Sequence, residues 1–174
     1  MQTIFKEVST MGETTILSWD RPWNRGRTAA LLLLALLPNV LGMINLTTPW
    51  GFKIHTFQAA IFLAAAVLGP WGGLVSGLAG SLWAALVMAN PWLLVGNGIL
   101  GFCTGLFVRR GFSLLPAVWL AFSIQLLWLI PTDYFLAGLS GAFIRELILA
   151  LFLSHTFWAL VVAPLREPLR GWLA

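Results

Sequence analysis

Long apolar runs alternate with short polar breaks along this chain, and the breaks define the elements. The runs predict six helices, at roughly Thr28 to Leu46, Phe57 to Leu68, Gly72 to Met88, Leu93 to Val108, Leu114 to Ile130 and Leu136 to Val162. Each is near the length that crosses a bilayer core, about 20 residues with some shorter or tilted. Between the second and third there is almost no connection: Gly69-Pro70 stops one helix and Gly72-Gly73 opens the next. Gly69, Gly73 and Gly77 recur at a four-residue step, a small-residue stripe that lets helix backbones approach closely in lipid. This glycine-lined hairpin is expected to be the hub on which the other helices pack.

Composition turns that pattern into a compartment. Hydrophobic residues make up 59% of the 174, charged residues only 9%, and the mean hydropathy is +0.89. This is the balance of an all-α integral membrane protein, not of a soluble domain. One membrane domain, residues 28–165, follows a polar tail, 1–27, and precedes a short tail, 166–174. Trp19 and Trp23 beside Arg21, Arg25 and Arg27 suit the first tail to a membrane surface, and residues 1–26 hold no apolar core of a cleaved signal peptide. With six spans and the N-terminus inside, eight of the ten Lys and Arg residues fall on the inner side. That bias predicts a multi-pass cell-membrane protein with both termini cytoplasmic. The single Cys103 rules out an intrachain disulfide and a thiol-rich metal site.

In that topology the polar residues gather in the outer connections: Lys53, His55, Trp92, Asp133 and Tyr134. Arg145 and Glu146 lie inside the sixth helix, where ionisable groups are costly and usually face a protein interior or a wet pocket. Adjacent residues do not share a helix face, so each needs its own partner: Asp133 or an anion for Arg145; Lys53, His55 or a ligand amine for Glu146. These seven are the candidate substrate-binding residues. Gln125, Asn97 and Asn39 read as interhelical hydrogen-bonding groups and His155 as a helix contact. No phosphate loop, zinc-binding His-Glu-x-x-His or Gly-x-Ser-x-Gly elbow is present, so no catalytic residue, cofactor or metal is assigned and no nucleic-acid partner is expected.

The Ala-rich second helix running into Leu68-Gly69-Pro70-Trp71-Gly72-Gly73-Leu74-Val75-Ser76-Gly77, and the fourth ending Gly98-Ile99-Leu100-Gly101-Phe102-Cys103-Thr104-Gly105-Leu106-Phe107-Val108-Arg109-Arg110, resemble a known family. It is that of the S components of energy-coupling factor (ECF) transporters, small membrane subunits for vitamins and related micronutrients. The resemblance implies a six-helix substrate-binding subunit that captures a small, vitamin-like or heteroaromatic metabolite at the outer face, partly under the loop between helices one and two. It also implies a transmembrane coupling subunit and two cytoplasmic ABC ATPases as partners. Members sharing a coupling subunit tend to carry Ala-x-x-x-Ala in helix one; here that spacing falls at Ala60 and Ala64, in helix two. With Gly69, Gly73, Gly77, Gly101 and Gly105, these are the candidate packing or coupling positions.

Two other readings compete. A six-helix scaffold without a ligand would plug its outer cavity with apolar side chains and pair its charges internally. An intramembrane enzyme would need a second catalytic group beside Glu146 or His55, and no spacing in the chain supplies one.

Overall fold

A computed structural model describes residues 24–47 and 53–172. Most of the predicted N-terminal tail and residues 48–52, between the first two predicted helices, lie outside the described residues. In chain order the elements are α1 (Arg25–Gly42), strands β1 (Asn45–Thr47) and β2 (Lys53–His55), α2 (Gln58–Gly80), α3 (Leu82–Val87), α4 (Trp92–Arg109), α5 (Leu114–Pro131), α6 (Gly141–Val162) and α7 (Arg166–Trp172). A π turn, Thr132–Leu136, extends α5. Among the described residues, four helical segments are long and apolar enough to cross a membrane: Gln58–Val87, Trp92–Arg109, Leu114–Leu136 and Gly141–Leu169. The fold is therefore all-helical and membrane-embedded, with one small ribbon.

The chain reverses within α2. Gly69 has φ 80° and ψ −163°, a conformation essentially reserved for glycine. Contacts with α1 show the reversal. On the leg 58–68, Ala60, Ala64, Val67 and Leu68 pack around Leu34 of α1. On the leg 70–80, the Ser76 hydroxyl donates to the Leu34 carbonyl, Asn39 donates to the Ala79 carbonyl at 2.9 Å, and Gly80 sits against Pro38. Both legs thus run along the same helix, in opposite directions. The Arg109 side chain covers the turn: a Cβ on Gly69 would lie 2.7 Å from its Nε.

The leg 70–80 then packs on α4, antiparallel. A Cβ on Gly73 would stand 2.2 Å from the Gly101 carbonyl oxygen, and one on Gly101 would stand 2.1 Å from that of Gly73. Gly77 meets the Asn97 backbone and Gly105 meets Gly69 and Pro70 in the same seam. Backbone lies on backbone here, which is how apolar helices associate when lipid offers no hydrophobic drive. Beyond the seam, Phe62, Leu100, Val118, Phe122 and Leu151 join α2, α4, α5 and α6 in one core.

Three boundaries differ from the sequence expectation. Helix one stops at Gly42, not Leu46, because Asn45–Thr47 pairs antiparallel with Lys53–His55 in the register Leu46 to Ile54. The third predicted helix is interrupted at Ser81, which separates α2 from α3 and returns its hydroxyl to the Gly77 carbonyl at 2.6 Å. The sixth starts at Gly141, not Leu136: Gly138 takes φ 67°, and Ser140 caps α6 by accepting from the Phe143 N–H at 3.2 Å.

Candidate functional site

The two ends of the bundle differ. One carries the Gly69 turn, Arg109 and Arg110; the other carries the ribbon, the connection from α3 to α4 and the π turn. Between them lies a layer of buried aromatic rings. His155 of α6, fully buried, meets Phe122 edge-on at 4.7 Å between ring centroids and Phe62 at 5.4 Å. These contacts place α2, α5 and α6 at a common level.

Immediately toward the ribbon end, the interior turns polar. The leg 58–68 runs away from the ribbon and α5 runs toward it. Gln58, one turn before Phe62, and Gln125, about one turn after Phe122, therefore share the next layer. Gln58 is fully buried and Gln125 nearly so. The Gln125 amide donates to Asn97 of α4 at 3.4 Å, while its own oxygen and both polar atoms of Gln58 have no hydrogen-bond partner. Buried polar groups are normally paired, because an unmade bond costs about 1–3 kcal/mol. An interior that holds three such atoms is equipped to pair them with something else.

Two turns beyond Gln125, Asp133 continues the polar path. It is buried, accepts from Asn90 Nδ2 at 2.7 Å through Oδ1, and leaves Oδ2 unpaired. Asn90 is aimed inward by its neighbour: Ala89 takes φ 48°, a left-handed conformation uncommon for a residue with a Cβ. The Asn90 side-chain oxygen accepts from the Trp92 N–H at 3.1 Å, fixing the start of α4. Trp92 in turn meets Trp128 edge-on at 6.4 Å, and the Trp128 indole donates to the Trp92 carbonyl at 3.2 Å.

The ribbon closes over this end of the bundle. The His55 N–H donates to Ser154 Oγ of α6 at 2.8 Å, and the Thr56 hydroxyl donates to the Leu41 carbonyl of α1. Under the ribbon a cavity of about 150 Å³ is bounded by Ile54, His55, Thr56, Trp83 and Met88. Only Thr56 and Phe57 separate β2 from Gln58, so the ribbon and the amide layer are joined directly along the chain.

The seven residues chosen from the sequence do not form one cluster. Asp133 and Trp92 meet through Asn90, and His55 lies on the ribbon beside Ser154. Lys53 lies on β2, but its side chain is outside the described residues. Tyr134 is exposed, edge-on to Phe135 at 4.9 Å. Arg145 lines a lateral groove between α5 and α6, and Glu146 is exposed on another face of α6. The predicted cation and acid of α6 therefore stand apart from the buried polar layer. Sequence reading passed over Gln58 and assigned Gln125 and Asn97 to helix contacts; the signal available was an amide within an apolar run.

The second group is placed inside the fold. Ala60 and Ala64 pack against α1, and Gly69, Gly73, Gly77, Gly101 and Gly105 line the seam between α2 and α4. All seven are buried.

Comparison with known proteins bears on what this architecture is. No curated protein and no solved structure matches the chain at a significant level. The family model of the ECF-type riboflavin transporter S component matches residues 27–165, from the first helix to the end of α6 and the turn after it. That family is a class of transport subunits, not of enzymes. With most of its length matched, and with an all-helical, membrane-embedded fold closed by a ribbon at one end, the chain belongs to the ECF-type riboflavin transporter S component family.

Proposed function

We propose that this chain is the substrate-binding subunit of an ECF-type importer and takes up riboflavin or a vitamin with a similar flat heteroaromatic ring. The observation that carries the reading is the unpaired amide layer of Gln58 and Gln125 beside buried aromatic rings. A flavin ring is flat, apolar on its faces and lined at one edge with carbonyl and N–H groups. Amide side chains can both donate to and accept from such an edge. Asp133, Asn90 and Trp92 mark the route between that layer and the ribbon, and His55 and Lys53 belong to the ribbon that must open for entry.

The ribbon end is the outer face in this reading. The reversal at Gly69 divides α2 into two passes, giving six passes in all and both termini in the cytoplasm. Arg109 and Arg110 then flank the inner end, as the charge bias requires. Because the chain has no nucleotide-binding motif, uptake draws on a coupling subunit and two ABC ATPases supplied separately.

The test is a titration of riboflavin against the purified protein in lipid nanodiscs, followed by quenching of flavin fluorescence. Wild type quenches stoichiometrically, and Gln125→Leu weakens binding roughly tenfold, the worth of about one hydrogen bond. The ligand-free variant melts close to wild type, since it removes the unpaired Gln125 oxygen but also the long bond from Gln125 to Asn97. Wild type that does not quench riboflavin, or Gln125→Leu binding as tightly as wild type, overturns the reading.

A further inference from the structure

The groove between α5 and α6 opens on the side of the bundle, and Phe122, which lines it, meets His155 on its inner side. It has a volume of about 490 Å³, and Trp119, Phe122 and Leu126 of α5 face Ile148 and Phe152 of α6 across it. Toward the Gly69 end it is bordered by Trp119, whose indole donates to Thr156 at 3.1 Å and stacks on Phe152 at 6.0 Å. Toward the ribbon end it is bordered by Arg145.

Arg145 is the anomaly. It sits four residues into α6, about 6 Å along the axis, within a segment long and apolar enough to span a membrane. Among the described residues it makes no hydrogen bond and no ion pair, and Glu146 points to a different face. A guanidinium at that depth is costly without an anion, and its stem can extend along the helix to reach one near the interface. The surface directly below it is an apolar trough open to the bilayer, which water cannot profitably fill.

We infer that this groove is a binding site for an anionic phospholipid, with one acyl chain laid between α5 and α6 and the phosphate paired to Arg145. Charge and shape each select this occupant. A free phosphate would satisfy the guanidinium and leave the trough empty, whereas a zwitterionic lipid would fill the trough with a weaker hold on the cation. Guanidinium and phosphate form a bidentate, charge-assisted pair. The lipid also supplies the wall that α5 and α6 do not give each other, and so supports the helix that carries Ser154 and His155.

Native mass spectrometry tests the site on the full chain, delipidated and then exchanged into equal amounts of phosphatidylglycerol and phosphatidylcholine of matched acyl chains. Wild type retains one phosphatidylglycerol in preference to phosphatidylcholine by at least about fivefold, the effect of one cation near an anionic headgroup. Arg145→Gln loses the preference, and Ile148→Trp, which fills the trough and keeps the charge, loses the retained lipid. Arg145 is exposed, and Ile148 packs against the core but is only partly buried, so both variants are expected to fold; their melting and riboflavin titration confirm it. Equal retention of both lipids by wild type, an undiminished preference in Arg145→Gln, or a lipid still held by Ile148→Trp overturns the proposal. So does inorganic phosphate displacing the lipid from wild type.

Discussion

Adding one methyl group at Gly101 tests the seam on which the fold is built. The new Cβ would lie 2.1 Å from the Gly73 carbonyl oxygen, whereas ordinary contact begins at 3.4 Å. Both partners are backbone on helices, so no side chain can swing away; the leg 70–80 and α4 must part by roughly 1 Å or more along the seam. Overpacking of this kind costs about 1–3 kcal/mol. At about 2–4 °C per kcal/mol for a chain of this size, Gly101→Ala should melt about 2–12 °C below wild type. The assay is built into the protein. Cys103 is the only cysteine, is half-buried, and lies on α4 two residues from Gly101, so a thiol-reactive dye reports the loosening of that helix. Gly141→Ala is the control, since nothing lies within 4 Å of a Cβ there. The double variant Gly73→Ala/Gly101→Ala should lose less than the sum of the two singles, because the first separation makes room for the second methyl. A Gly101→Ala melting curve that overlays wild type, or a control that falls equally far, would refute the backbone contact.

Gly69→Ala should cost about 1–3 kcal/mol from backbone conformation alone, and more because the Arg109 side chain must leave the turn; thermal unfolding in detergent measures it. Ala64→Leu should lower the melting temperature of the isolated subunit, by a loss of about 1–3 kcal/mol, since Ala64 packs against α1 inside the chain. A variant that melts normally but fails to co-purify with a coupling subunit would instead return Ala64 to a docking role.

The helical framework was legible because its signals are local. Gly69-Pro70 announces a break through chain geometry alone, since proline lacks a donor and Gly69 adopts a conformation other residues avoid. The spacing of Gly69, Gly73 and Gly77 likewise foretold a close-packed face. The ribbon was not legible: strands of three residues are too short to show alternation, and Asn45–Thr47 follows an apolar helix with no break but Gly42. The interior layer was hidden for a different reason. Hydropathy draws attention to Arg145 and Glu146, but whether an amide such as Gln58 or Gln125 faces lipid, a neighbour or the interior depends on how helices rotate against one another. That rotation is set by the glycine seam and the Phe62–His155–Phe122 rings, contacts made between residues far apart in the chain.

The brevity of the first leg of α2 has a consequence for how the interior is closed. Residues 58–68 rise about 16 Å before Gly69 turns the chain, little more than half of a hydrocarbon core of about 30 Å. The ribbon makes up part of the difference, and its bond to Ser154, thirteen residues into α6, places it well below the start of that helix. The leg is enclosed by α1 and α6, with Ile61, Phe62, Ala64 and Ala65 fully buried, so the missing height falls inside the bundle and not against lipid. Unequal height within the bundle thus leaves a two-stranded ribbon, not a helix, to separate the buried Gln58 from that end of the molecule.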